Sequence, residues 1–302
     1  MNGLKIIVKR NVKLFLKDKG LFFTSLITPI ILLVLYATFL SKIYRDSFSS
    51  SLPSELKNAA TRKIINGTVG GQLASSLLSV SCVTVAFCSN MIMPTDKMTG
   101  AIKDINVTPV SKSKLAFGYY IATLLNTLLV CYVALGLSLI YIACVGWFLT
   151  FSDVLLLMLD VLVLVLFGTA LSSIVNCFLS TQGQMSAVGT LVSSLYGFIS
   201  GAYMPISQFG GAVQNIVACL PGTYGTALMR GHAMRSAIAE LKGFGVPQET
   251  IVKIKNSVDC NVFFFGKKVP QVGNWTILIC AVLVLTGVYV LISYFKSKKK
   301  FD

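Results

Sequence analysis

Apolar and polar positions in this chain segregate into long blocks rather than alternating at short range. Six runs are almost wholly apolar: 21–41, 72–94, 115–145, 153–179, 184–206 and 275–295. Each reaches the roughly 20 residues a helix needs to cross a bilayer core. Charged residues lie mostly between the runs. The pattern predicts an all-α integral membrane protein with six transmembrane helices, five of them within 21–206 and the last at 275–295. Two other stretches show helical periodicity. In 3–18, Leu4, Ile7, Val8, Val12 and Phe15 share one face, while Lys5, Lys9 and Lys13 follow one another at four-residue spacing on another. A basic amphipathic helix of this kind is expected to lie in the headgroup layer, and Gly20 separates it from the first run. In 95–114, Met98, Ile102 and Ile105 line up on a short helix centred near Gly100 and stopped by Pro109. Residues 207–274 read as an external helical loop before the last span. That loop is mildly amphipathic at 210–220, broken at Pro221 and Gly222, and helical over 223–242 and 248–257.

Composition sharpens this picture. Hydrophobic residues make up 55% of the chain and charged ones 12%, with a mean hydropathy of +0.77. A soluble domain usually carries about 25% charge. No room is left for a soluble catalytic domain, and 1–302 reads as one transmembrane domain with a tail at 296–302. The net charge of +15 sits at membrane-flanking positions, as lipid headgroups and orientation sorting require, which argues against nucleic acid as a partner. Segments 1–20, 95–114, 180–183 and 296–302 hold 14 basic residues; the segments on the other side hold 12 in about twice the length. The density difference predicts that both termini are cytoplasmic. The first run is too long for a cleavable signal peptide and no small-residue cleavage site follows it. Of eight cysteines, none forms a CxxC pair, so no metal site is expected. Cys219 and Cys260 share the external loop, either as a disulfide or as two free thiols.

Candidate chemistry is sparse. No GxxxxGK[ST] occurs, so the chain has no P-loop of its own, and no HExxH, paired carboxylates or Ser/His/Asp set stands in a catalytic context. The lone histidine, His232, reads as a solvated surface residue. Asp160 is the one acid inside an apolar run. An intramembrane carboxylate is costly and marks either a reach to the interface or vestibule, or an ion-coupling group. The fifth run carries small residues (Ser186, Ala187, Gly189, Ser193, Ser194, Gly197, Ser200, Gly201) and the second carries Ser75, Ser76, Ser79, Ser81 and Thr84. Small residues and hydroxyls suit close helix packing or a polar pathway, and both readings place these helices in the interior.

Taken in order, these motifs resemble the permease subunits of ABC-2-type exporters over nearly the whole chain. A basic amphipathic helix precedes the first span. After the second span comes an acidic–basic pair, a glycine, apolar residues and Thr-Pro: Asp96, Lys97, Gly100, Ile102, Ile105, Thr108 and Pro109. The family's usual Glu is Asp96 here, and Ala101 stands where Thr is common. The fifth span ends in Ser200, Gly201, Pro205 and Ile206, followed by Leu220, Pro221 and Arg230; 231–272 matches no family motif. The resemblance implies six spans per protomer and a homo- or heterodimer of permeases in a bacterial-type cytoplasmic membrane. It also implies a separate ABC ATPase subunit that binds ATP and Mg, with no cofactor on this chain. Asp96, Lys97, Gly100, Ile102, Ile105 and Pro109 would then couple to the ATPase. Ser79, Ser193, Gly197, Ser200, Gly201 and Pro205 would serve the pathway or its packing, for multidrug-type efflux of a drug, antimicrobial peptide or lipid-linked molecule. Two other classes stay open: an ATP-independent carrier that couples ions through Asp160, and a membrane immunity or scaffold protein.

Overall fold

The structure is a computed structural model that describes residues 2–50, 52, 58–108 and 110–298; Pro109, expected to stop the coupling helix, lies outside them. The chain opens with α1 (Asn2–Lys17), α2 (Lys19–Leu35), a π-helical segment Tyr36–Leu40, and α3 (Ser41–Ser50). There follow α4 (Ala59–Ser89), α5 (Ile92–Met98), α6 (Ala101–Val107), α7 (Lys112–Val145), α8 (Phe151–Asn176) and α9 (Gln182–Ile199). The last third holds α10 (Gly211–Ala218), α11 (Pro221–Gly243), α12 (Gln248–Ser257), a two-stranded hairpin of β1 (Phe263–Phe264) and β2 (Lys267–Lys268), and α13 (Gln271–Lys298).

Among the described residues, five helices are long and apolar enough to cross a membrane: Lys19–Ser50, Ala59–Met98, Lys112–Val145, Phe151–Asn176 and Gln271–Phe295. The fold is thus all-α and multi-spanning apart from the small hairpin. The helix α9, which corresponds to the run at 184–206, is not among the five. It has 18 residues and stops at Ile199, where Gly201 turns left-handed at φ +72°. Its length of about 27 Å at 1.5 Å per residue is within reach of a bilayer core, but Gln182, Gln184 and its many Ser, Thr and Gly residues make it less apolar than the other five.

The helix α4 is the axis of the bundle. It touches α2, α7, α8, α9 and α11, and it is buried on all sides from Gly67 to Phe87. A helix buried all round shows no amphipathic stripe, and its hydroxyl residues Ser75, Ser76, Ser79, Ser81 and Thr84 are all interior. Hydroxyls in that setting bond back to the helix's own carbonyls, as Ser81 does to Leu77 at 2.7 Å and Thr84 to Val80 at 3.0 Å. Gly71 lets α11 close in: a β-carbon there would lie 2.5 Å from Ala233 O.

The helix α1 seats its apolar face on α7 and α2, with Ile7 and Phe15 buried. Gly118 of α7 makes room, since a β-carbon there would meet Ile7 at 2.6 Å. The stretch 223–242 is helical, as its pattern predicts, but α11 is no loose external loop. Gly222 to Arg230 is wholly buried against α4 and α8. The composition of α11 hides this: its buried residues mix glycine, alanine and threonine with Arg230 and His232, so it carries little apolar signal for a helix so enclosed. The α7–α8 connection caps α8 with Thr150 and Asp153, which bond reciprocally. Cys219 and Cys260 are free thiols.

Candidate transport path and coupling site

At the end of the bundle where α5 follows α4, Asp96 is buried and accepts from three directions. Arg10 Nη1 donates to Asp96 Oδ2 at 2.7 Å and Nη2 to Oδ1 at 2.9 Å; Tyr119 OH donates to Oδ2 at 2.5 Å. A bidentate guanidinium–carboxylate pair is the strongest geometry such groups form. The bond to Asp96 raises the Arg10 pKa above its ordinary value. One carboxylate thereby ties α1, α5 and α7 together. Lys97 turns the other way and caps α8, with Nζ donating to Asn176 O at 2.9 Å and Cys177 O at 3.0 Å. A cation on the terminal carbonyls also complements the helix dipole. Behind these two, Asn90 Nδ2 donates to Ser172 and Ser173 at 3.1 and 3.0 Å, and Thr123 donates to Asn90 Oδ1 at 3.2 Å. The ends of α4, α7 and α8 are so locked.

Gly100 is not the centre of a helix. It stands at φ +81° between α5 and α6, where nothing lies within 4 Å of an added β-carbon. The expectation of one continuous helix fails because Thr99 and Gly100 end α5 and only glycine enters the left-handed region freely. Ile102 and Ile105 of α6 pack on the core as partly buried residues, and Met98 is exposed.

The six expected pathway or packing residues separate in the structure. Ser79 shares a hydrogen bond with Thr226 of α11 deep in the bundle. Gly197 is covered by Tyr203, Ser200 and Pro205 are buried, and Gly201 O accepts from Arg230 Nη2 at 2.5 Å. Ser193 alone faces a groove. That groove, of about 690 Å³, runs between α2, the end of α4 and α9, and mixes Leu21, Met91 and Met185 with Thr24, Ser186, Thr190, Ser193 and Ser194. The expectation that α9 lies in the interior is corrected here. Ser186, Ala187, Thr190, Leu191, Ser194, Leu195 and Phe198 of α9 are exposed, as are Phe23, Ile27, Ile31 and Val34 of α2. Within one protomer α9 packs mainly on α4, and at its C-terminal end it meets α11, where Thr223 Oγ1 donates to Ile199 O at 3.3 Å.

Arg230 is fully buried and bridges elements: Nη2 also donates to Ser76 at 3.0 Å, and Nη1 to Asp259 Oδ2 at 3.4 Å. Asp259 in turn accepts from Ile206 N at 2.5 Å and Ser207 N at 3.3 Å. Burial pushes the Asp259 carboxyl up from its ordinary value, while Arg230 and these backbone groups pull it down. Asp160 is buried within the protomer and does not line the α2–α9 groove. It is 1% exposed and pairs with His232 Nδ1 at 2.6 Å, and His232 Nε2 meets Gln271 Nε2 at 2.9 Å. His232 is therefore buried, which corrects the expectation of a solvated surface residue. The pair satisfies one oxygen of the acid, while Asp160 Oδ1 has no hydrogen-bond partner among the described residues. Asp153 pairs with Arg235 Nε at 2.7 Å and accepts from Ser236, again from α11.

Sequence reasoning missed Arg10, Tyr119, Asn90, His232 and Asp259. The acid and base of each pair sit up to 86 positions apart, so only the long-range fold brings them together. One signal was present: Asp160 stands as a lone acid inside an apolar run, and such an acid needs a polar partner.

The profile of the ABC-2 type transporter family matches residues 2–233, from α1 into α11. No curated protein matches the chain. A match over more than three quarters of the chain covers the Asp96 cluster, the α2–α9 groove and the buried part of α11, so the chain belongs to the ABC-2 type transporter family, as a multi-pass membrane permease subunit and not an enzyme.

Proposed function

We propose that the protein is the membrane subunit of an ATP-driven exporter, moving an amphiphilic cargo outward. Two protomers would pair through the exposed faces of α2 and α9, with α9 completing six spans per protomer and both termini cytoplasmic. The whole of 1–302 then acts as one transmembrane domain. The observation that carries this reading is the groove between α2, α4 and α9. Its hydroxyls alternate with methionine and leucine, and its outer walls carry large apolar side chains that no other element of the protomer covers. Facing a second copy, two such grooves make a path with the mixed lining a drug, an antimicrobial peptide or a lipid-linked molecule needs. ATP and Mg reside on a separate ABC ATPase subunit, which meets α1 and the α5–α6 corner; Asp96, Lys97, Gly100, Ile102, Ile105 and Pro109 transmit its motion.

One observation favours a second reading, an ion-coupled carrier: the buried Asp160–His232 pair. Inverted vesicles holding the permease with its ATPase decide between them. The expected result is substrate accumulation driven by ATP, and retained by Asp160→Asn, whose amide keeps the size and hydrogen bonding of the acid. Accumulation that follows an imposed pH gradient, ignores ATP and is lost in Asp160→Asn would transfer the function to the carrier.

A further inference from the structure

Beside the start of α13 lies a cavity of about 250 Å³ that the transport path does not use. Its polar lining comes from Arg235 of α11, Lys255 of α12, Asn261, Lys268 of β2, and Gln271 and Asn274 of α13. No Asp or Glu is among its lining residues. Arg235 is partly neutralised by Asp153, whereas Lys255 and Lys268 form no ion pair among the described residues. Asn274 is 3% exposed and its Oδ1 has no hydrogen-bond partner. A half-turn of that amide presents Nδ2 as a donor at the same point. Unpaired cations, amide donors and a buried unsatisfied amide in one enclosure are the chemistry of an anion site.

Covalent geometry sets its depth. Gln271 and Asn274 belong to the first turn of a helix apolar enough to span the bilayer, and Val269 and Pro270 alone separate β2 from it. The cavity is held where the span enters the membrane. On the adjoining hairpin Phe263, Phe264 and Phe265 are exposed, with Phe265 and Gly266 forming the left-handed turn. Exposed aromatics at that level belong in the boundary between headgroups and acyl chains. The volume is below the about 300–1,000 Å³ of a drug-sized site but admits a headgroup.

We propose that this cavity binds a phosphate ester, presented as the headgroup of a membrane lipid. It is independent of how transport is energised. The test uses the full-length permease in detergent and follows thermal stabilisation and native mass spectrometry on adding phosphatidylglycerol, phosphatidylcholine, glycerol 3-phosphate or inorganic phosphate. The expected result is saturable phospholipid binding that the Lys255→Gln/Lys268→Gln double variant weakens about tenfold or more. Lys253→Gln, on the exposed side of α12 and outside the cavity, leaves it unchanged. Lys255 is half-buried and Lys268 exposed, and neither makes an ion pair among the described residues, so the double variant is expected to fold; its unliganded melting temperature checks this. Saturation by glycerol 3-phosphate or inorganic phosphate at similar strength assigns the site to a soluble phosphate and overturns the lipid. Equal binding by the double variant, an equal loss in Lys253→Gln, or no saturable binding of any probe overturns the site itself.

Discussion

Single residues hold the interior of this permease together by charge as much as by packing. Arg230 is the extreme case: a guanidinium with no exposure, whose two terminal nitrogens bridge α4, the turn after α9 and Asp259. Removing one member of a buried ion pair strands the other and costs about 3–5 kcal/mol. Arg230→Ala is therefore expected to lower the melting temperature sharply, or to prevent accumulation of folded permease, as read by size-exclusion profiles of the solubilised protein. Arg230→Lys should rescue little, because a point charge cannot span the acceptors that the planar fork reaches. A variant with wild-type stability would show that Asp259 finds its partners in the backbone of Ile206 and Ser207 alone. Cys260, beside Asp259, has its thiol pushed up to about 11 by burial and should stay unreactive near neutral pH.

Among the elements, the α5–α6 corner is where chemistry and conformation meet. Gly100 at φ +81° fixes the angle between two helices that are anchored differently, α5 by Asp96 and Lys97, α6 by Ile102 and Ile105. Gly100→Pro cannot adopt that angle, since proline holds φ near −65°. Because nothing lies near the Gly100 side-chain position, the bundle itself should survive. The expected outcome is a stable permease that no longer couples ATP hydrolysis to export, with Gly100→Asn, which tolerates the left-handed region, retaining most activity. Normal ATP-driven export by the proline variant would remove the corner from the coupling route. The elements also show what sequence pattern can carry. Long apolar runs marked α7, α8 and α13 and the start of α2 within a few residues, and the 248–257 prediction coincides with α12; α4 begins at Ala59, well before the run at 72–94, because its first turns are polar. The periodicity of α1 marked the face that packs, though it packs on protein rather than on lipid alone. The pattern did not reveal the burial of α11, because small residues pack closely without looking hydrophobic. Nor did it reveal that Asp96 faces inward, since an acid in a polar segment gives no sign of a partner 86 residues away.

For the whole molecule, orientation is the property on which the exporter reading turns. Lys9 lies on the exposed side of α1 and Lys253 on the exposed side of α12. With Cys144, Cys219 and Cys280, the exposed thiols, replaced, a cysteine at position 253 should react with an impermeant maleimide in intact cells. One at position 9 should react only after permeabilisation. The opposite pattern would invert the molecule and make its groove an entry rather than an exit. In either orientation the two ends of the bundle differ in kind. One end is bound by Asn90, Asp96 and Lys97 into a network across α1, α4, α5, α7 and α8. The other is filled by α11 and closed by the acid–base pairs it makes with α8.

The carboxylate shared by Arg10, Asp96 and Tyr119 has a mechanical meaning. A joint that fastens three rods at one point is a bracket, and a bracket passes load without yielding. Compliance has to lie elsewhere, and the nearest bend is Gly100, past which α6 is held by the apolar packing of Ile102 and Ile105 and by no ion pair among the described residues. A push on α6 is partly absorbed there before it reaches the spans. A push on α1 is not: it travels through Arg10 into α5 and through Ile7 into α7 without crossing a bend. The stiff handle of this permease is its first helix, and any motor that moves the spans has most leverage there.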